Sequence, residues 1–366
     1  MGTITRTIAN NLTAGLGGAG GINFRNKVIN GAMEVAQVTT NALTINSGTI
    51  QYPVDRMGAR GMSSAGVFTV QRSTDVPDDF NYSVKATVTT NSTPGTNDTY
   101  RFLHHIEGKN LRTMNWGSSS AKSMVLSFYV KSSLTGTFGG SISNGDYNRF
   151  YNFSYTISSA NTWERKSVTI AGDTSGTWPT GNGLGLRISL SLGAGSGEVG
   201  SAGSWGTSTY EGVTGQTNLI ATNGATWYIT GLQFEEGSSV TDYEQIPEDV
   251  TFKRCQRYLY MIVTSGDSGS YFMQGYLYSS SLLYLYHHYP LPMRSTPSLV
   301  ITTGTGNYSF YRDSAEDQIN SLEISHGTSA SKGMFRNNSD ISGTAGQAGG
   351  LHTNGTSNQI YLISEI

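Results

Sequence analysis

Apolar and polar residues alternate with a period of two over many short stretches of the chain, and almost nowhere with the period of a helix. Tyr82–Val88 is the clearest case: Val84, Ala86 and Val88 share one face, and Ser83, Lys85 and Thr87 the other, as a half-buried strand requires. Val67–Arg72, Tyr100–Ile106, Arg149–Ile157, Glu164–Ile170, Leu186–Leu192 and Thr226–Phe234 are further predicted strands, and Met124–Lys131, the most apolar run, reads as a central one. Turn signals such as Thr93-Pro94-Gly95, Asn144-Gly145-Asp146 and Asn182-Gly183 separate them. About eight short strands at this spacing predict a β-sandwich, and the count fits a jelly roll.

A boundary is expected at Gln245–Asp249. Val250–Tyr260 is the best helix candidate, because Glu248 and Asp249 lie near its start and Lys253, Arg254 and Arg257 later, the charge order that the helix dipole prefers. A strand is the competing assignment. Beyond it, Tyr271–Tyr278, Leu282–Tyr289, Ser298–Thr303, Tyr308–Arg312, Ser321–Ser325, Gly333–Arg336 and Gln359–Ser364 alternate with Gly/Ser/Asn turns, as in a smaller β domain. At the other end, Thr3–Leu12 reads as a strand or arm and Gly15–Gly21 as a flexible hinge. Gly15, Gly17 and Gly20 match G-x-G-x-x-G, but no buried strand precedes them and no helix follows, so a dinucleotide site is rejected. The expected class is all-β: an extended N-terminal arm and hinge over 1–24, a jelly-roll sandwich over 25–247, and a β tip domain over 248–366.

Composition supports this. There are 46 glycines, Ser, Thr and Asn are abundant, and charged residues make up 13% of the chain, against roughly 25% in ordinary soluble domains. Such a chain is poor in helix formers, while 11% aromatics argue against disorder. The net charge of −2 and the lack of any basic run leave nucleic-acid binding unsupported. One cysteine, Cys255, excludes an intrachain disulfide framework and suggests a reducing cytosol, or bacterial or viral origin. No signal peptide is read, and the richest apolar stretches, Met124–Val130 and Leu282–Tyr289, fall far short of the ~20 residues of a membrane helix.

Several motifs occur in a fixed order: Asn30-Gly31-Ala32-Met33-Glu34-Val35, Val54-Asp55-Arg56-Met57, Phe102-Leu103-His104-His105-Ile106-Glu107-Gly108 and Leu126-Ser127-Phe128-Tyr129-Val130-Lys131-Ser132. They continue with Thr162-Trp163-Glu164-Arg165-Lys166, Gly172-Asp173-Thr174-Ser175-Gly176-Thr177-Trp178, Ile229-Thr230-Gly231-Leu232-Gln233-Phe234-Glu235-Glu236-Gly237 and Cys255-Gln256-Arg257-Tyr258. The series, over about residues 26–300, resembles the carbohydrate-binding-module-like jelly-roll proteins of bacteriophage virions, tail fibre or minor structural proteins. Leu291–Pro297 resembles the start of that family's C-terminal β domain. Where the family pattern has Trp after Asp-Arg, this chain has Met57, read as a core substitution. The resemblance implies a non-enzymatic virion protein, assembled in the host cytoplasm. Its expected partners are itself, as a homotrimer, other tail or capsid proteins through residues 1–24, and host surface polysaccharide. A capsid decoration or head fibre is the alternative, and a polysaccharide depolymerase the second.

The matched motifs read as scaffold, and Trp163, Trp178 and Trp227 within them as core or corner residues. Carbohydrate-binding candidates lie elsewhere. Trp205 and Tyr210 sit in the Gly/Ser-rich stretch that follows Leu192, where an exposed ring could stack on a sugar. Tyr147 and Tyr151 flank a turn. Tyr284 and Tyr286 share a strand face with His288 in a tyrosine-dense segment that also holds Tyr276 and Tyr278. A subunit interface is the competing reading of that face. His104-His105 and His287-His288 cannot chelate from one strand, since adjacent residues point to opposite faces. Asp75, Asp78, Asp79 and Glu235-Glu236 are candidates for a structural calcium, with solvated loop carboxylates as the alternative; no other cofactor and no catalytic residue is expected.

Overall fold

The computed structural model describes residues 24–46, 48–63 and 65–366, so the predicted arm and hinge lie outside the described residues except for Phe24. From residue 43 to residue 236 the chain builds two antiparallel sheets that close on each other. The first has six strands, in the spatial order Leu43–Ile45, Val67–Ser73, Ser83–Thr90, Thr226–Glu236, Met124–Ser132 and Glu164–Ile170. The second has seven: Trp205–Gly206, Phe150–Ile157, Gly136–Asn144, Leu184–Ala194, Thr99–Glu107, Met57–Gly61 and Gln51–Val54. Alternate residues of both point inward, and Trp227, Phe128, Phe138, Phe153, Phe102 and Ile188 form the centre of one continuous core. Met57 is fully buried in it. The chain thus adopts the all-β, jelly-roll-like sandwich expected of its pattern.

Gly136–Asn144 carries no strand signal in the sequence, because Gly139 and Gly140 interrupt the alternation. The neighbours require them. A Cβ on Gly140 would lie 2.4 Å from the Phe153 ring, and one on Gly139 2.8 Å from the Val213 nitrogen. The space that side chains would take is filled from the adjacent strand and from an overlying loop.

Residues 259–363 form a second set of sheets around a separate core of Leu277, Leu283, Leu285, Phe310, Phe335 and Leu351. Its larger sheet runs Ala315–Ile319, Tyr308–Arg312, Ala348–Thr353, Tyr271–Ser279, Leu282–His288, Lys332–Asn337 and Glu323–Ile324. A three-stranded sheet, Leu259–Val263, Ile360–Ile363 and Ser298–Ile301, contributes Val263, Ile360 and Leu362 to the same core. The segment predicted as a helix over 250–260 divides: Glu248–Gln256 is helical, and Leu259–Val263 pairs with Ile360–Ile363. Both assignments weighed for it hold, each for one half.

Between the two cores lies a dense polar junction. The two-residue turn Asp55-Arg56, closed by the Val54–Met57 pair, is buried although both residues are charged. Arg56, 1% exposed and at a φ of 69°, is ion-paired with Glu365, donates to the His105 carbonyl, and lies over the Tyr258 ring at 3.6 Å. Arg257 grips Glu107 through two hydrogen bonds of 2.9 and 2.7 Å, and the Tyr258 hydroxyl donates to the same carboxylate at 2.7 Å. His104 donates from Nδ1 to the Arg56 carbonyl and accepts the Ile29 amide, while His105 donates to the backbone oxygen of Ile366. The motif residues Asn30, Asp55, Arg56, His104, His105, Glu107, Arg257 and Tyr258 therefore meet in one place. Within the histidine pair the side chains do diverge, and each is satisfied by backbone.

Acid should destabilise this junction. Burial pushes the His105 imidazole down to about 3, with Arg187, Arg56 and Arg101 adding to it. It also pushes His104 well below its ordinary value. An unfolded chain protonates both near pH 6.5, so stability is lost as pH falls below that value. Asp55 opposes this: burial raises it to about 6, so its contribution is present at low pH and lost as pH rises through that value. Two histidines outweigh one aspartate, so a net loss of stability is expected as the pH falls from 6 to 4. Urea midpoints measured across that range would refute this reading if they stayed level or rose on acidification.

Candidate functional site

The six predicted sugar-contact residues divide in the structure. Tyr151 points into the sandwich and is 6% exposed, so it offers no ring face and is corrected to a core residue. Its neighbour Trp205 caps the same end. The indole packs edge-on against Trp116 and Trp178 with centroids 5.0 and 5.5 Å apart, and tilts on Tyr151 at 5.2 Å. It donates from Nε1 to the Ala171 carbonyl at 2.7 Å. Trp205 is thus a lid on the core rather than a free loop aromatic. Tyr210 is half-buried and its ring fills the space above Gly200, where a Cβ would come within 2.2 Å of it. The Gly/Ser-rich stretch lies folded over the sandwich, which is why its aromatics are used up.

Trp227 is fully buried and Trp178 nearly so, as expected, but Trp163 stands half-exposed on the outer face of the six-stranded sheet. Of the carboxylates considered for calcium, Asp75 pairs with Lys131 and accepts from Trp163, Glu235 pairs with Arg25, and Glu236 pairs with Lys122. Among the described residues no cluster of three or more metal-ligating side chains occurs.

The outer face of the seven-stranded sandwich sheet is closed. The loop that follows Gly206 lays Glu211 across it, where the carboxylate meets Arg101 at 2.5 Å and Arg187 at 2.6 Å and accepts from Ser141 at 3.1 Å. Burial alone would push Glu211 up, but Arg187 and Arg101 outweigh it and hold the carboxyl below its usual range. Beside this triad Tyr147 is exposed, with the Arg187 guanidinium 4.9 Å from its ring centroid. Tyr147 is an isolated aromatic over a closed surface.

Tyr284 and Tyr286 have a different setting. Inward-facing Leu277, Leu283 and Leu285 fix the register of Tyr271–Ser279 and Leu282–His288 through burial. That register turns Tyr276, Tyr278, Tyr284 and Tyr286 together to the outer face. Tyr276 lies directly opposite Tyr284, and Gln274 opposite Tyr286. The Tyr276 and Tyr286 rings are nearly parallel at 13° and 6.5 Å, and Tyr278 meets Tyr284 edge-on at 5.5 Å. Tyr278 is 62% and Tyr286 45% exposed. Two strands away, Tyr311 stands opposite Gly350, and the ring of exposed Tyr271 lies over that glycine. Arg336, opposite Tyr284, holds Glu323 at 2.9 Å on the rim. His287 points the other way and is engaged by the Tyr260 hydroxyl at 3.0 Å. The result is a surface of six tyrosines with amide and ion-pair groups beside them. Sequence periodicity points to Tyr284 and Tyr286 sharing a face; the contribution of Tyr271 and Tyr311 depends on strand pairing that no local pattern encodes.

Exposed aromatic rings grouped on a sheet, with phenol hydroxyls and an amide among them, can pack against the C–H face of a pyranose and hydrogen-bond its hydroxyls. Contiguous exposed aromatic residues mark interaction surfaces when they form a large patch.

No known protein family matches this chain, and no curated protein matches it. Among solved structures it is similar to the enzymatically active domain of tailspike protein 4 of bacteriophage CBA120, at 14% identity and a TM-score of 0.29, over 58% of this chain and 22% of that one. It is also similar to a family 4 carbohydrate-binding module, at 15% identity and a TM-score of 0.29, over 57% of this chain and 99% of that one. A family 11 carbohydrate-binding module of a Clostridium thermocellum cellulase matches at 11% identity and a TM-score of 0.29, over 57% of this chain and all of that one. At these values the likeness adds no weight to a functional reading, which rests on the surfaces described above.

Proposed function

We propose that the protein is a non-catalytic adhesin of a bacteriophage virion, a fibre or spike component that contacts host surface polysaccharide through the tyrosine face of its second β unit. The observation that carries this is the face itself. Six tyrosines, from Tyr271, Tyr276, Tyr278, Tyr284, Tyr286 and Tyr311, lie on the outer side of one sheet, and the rings of Tyr271, Tyr278, Tyr286 and Tyr311 remain strongly exposed. Tyrosine supplies wide contact area at little loss of side-chain entropy and can both stack and hydrogen-bond. The virion setting, the homotrimer, attachment through residues 1–24 and the division into a sandwich body and a tip rest on the motif order.

Replacing Tyr276 and Tyr286 together with alanine removes a parallel ring pair that no inward packing requires. Binding to host cells or purified host polysaccharide should weaken about 10- to 100-fold, since each stacked ring contributes roughly 1–1.5 kcal/mol. Thermal stability should stay within about 1 kcal/mol of the parent, as for other surface changes. If glycan binding persisted while the oligomeric state in light scattering changed, the face would be a subunit interface and the adhesion reading would fail. Release of reducing sugar from the polysaccharide would instead establish the depolymerase alternative.

A further inference from the structure

The outer face of the six-stranded sandwich sheet carries a second aromatic surface, of different chemistry. The strand register places Lys85, Tyr228 and Lys131 side by side on three neighbouring strands. Both ammonium groups lie over the one phenol ring, at 5.5 Å for Lys85 and 4.4 Å for Lys131. Trp163 extends the row, 6.1 Å from Tyr228 and 5.3 Å from the Lys131 ammonium. In the next row Tyr129 stands opposite Arg165, whose guanidinium is 5.6 Å from its ring.

Two properties set this surface apart from an ordinary solvated sheet. The first is that the indole is held in place: Asp75 accepts from Trp163 Nε1 at 3.1 Å while pairing with Lys131. The ring is therefore pre-set, and a ligand stacking on it loses less on ordering. The second is charge. Lys85 makes no ion pair among the described residues, and Arg165 pairs with the fully exposed Asp242 at 3.5 Å while also donating to the Thr241 carbonyl. Asp75 pairs with Lys131 and accepts from Trp163, and Lys85 lies near enough to help hold its carboxyl down, so Lys85 is the cation of the row without a direct partner among the described residues.

We infer that this face binds an anionic oligosaccharide: sugar rings stacked on Trp163 and Tyr228, with one carboxylate drawn to Lys85 and that of another sugar unit to Arg165. A carboxylate beside Lys85 would give that ammonium the partner it lacks, and the rings would cover aromatic surface now half-exposed. This surface lies on the sandwich, and its ligand is charged. It therefore stands or falls separately from the tyrosine face.

Hexagalacturonate, titrated into the full chain by calorimetry at low salt, tests the assignment, with a neutral galactohexaose of equal length as control. The acidic oligomer should bind at least 10-fold more tightly than the neutral one. Lys85→Ala with Arg165→Ala should remove that preference, and Trp163→Ala should weaken acidic binding about 10-fold. Tyr276→Ala with Tyr286→Ala should leave it unchanged, which separates this site from the adhesion surface. A circular dichroism melt confirms that each variant is folded, and Trp163→Phe, which keeps a ring but loses the Asp75 contact, should retain part of the affinity. Equal binding of the two oligomers overturns the inference. So does acidic binding that Trp163→Ala leaves untouched, since that would be diffuse charge attraction.

Discussion

Replacing Glu211 with alanine should destabilise the sandwich by about 3–5 kcal/mol, the usual cost of leaving buried charges without their partner. Glu211 is the sole carboxylate between Arg101 and Arg187 in their ion-pair contacts among the described residues, and all three side chains are at least nine-tenths buried. Burying two guanidinium groups is unfavourable in itself, and their mutual repulsion adds to it. The carboxylate offsets both and also ties the overlying loop to the sheet through Ser141. Glu211→Gln keeps the shape and loses the charge, and should recover only a minor part of the loss. Asp249→Ala is the contrast: it removes a solvent-exposed pair with Lys253 at 3.5 Å, and pairs of that kind contribute roughly 0.3–0.5 kcal/mol at most. Urea denaturation followed by tryptophan fluorescence reads all three. Similar losses for Glu211→Ala and Asp249→Ala would mean that the triad contributes no more than a surface pair.

Arg56→Met should cost a similar amount, about 3–5 kcal/mol, but its mark is different. The guanidinium is the common partner of Glu365, the His105 carbonyl and the Tyr258 ring. Its loss strands a buried carboxylate on one side of the junction and removes a cation–π contact on the other. The two cores are separate, so weakening the polar layer between them should uncouple their unfolding. The parent is expected to unfold in one transition and Arg56→Met in two, with the Glu365→Gln variant of Arg56→Met recovering part of the lost stability by removing the stranded charge. A single transition shifted as a whole would show instead that Arg56 supports only the sandwich around its own hairpin.

Strands built on alternation, such as Ser83–Thr90, were legible because burial on one face is written into every second residue. Gly136–Asn144 was not, since its glycines answer to Phe153 and Val213, which are distant in sequence. The helix start was legible from Glu248 and Asp249, but its end was not. Cys255 and Tyr258 are buried against Ile29 and Val35, and that packing turns the chain into Leu259–Val263. Trp205 misled because a Gly/Ser-rich segment reads as an outlying loop, while here it closes the end of a core; Tyr151, beside a turn, lies in a strand and faces that same core. Tyr284 and Tyr286 were legible as one face because a strand's period is local. Trp163 was read as core from its motif, whereas the side it faces is decided by the Asp75 and Lys131 partners of other strands.

The first and last strands of the second unit, Leu259–Val263 and Ile360–Ile363, are hydrogen-bonded neighbours, with Leu259 opposite Ile363. The chain therefore enters and leaves this unit at one point, beside the junction. A unit attached in this way is a cassette. Its outer strands and loops can be lengthened, shortened or exchanged without altering where either end must connect. The tyrosine face can then change while the charged seat beneath it stays the same.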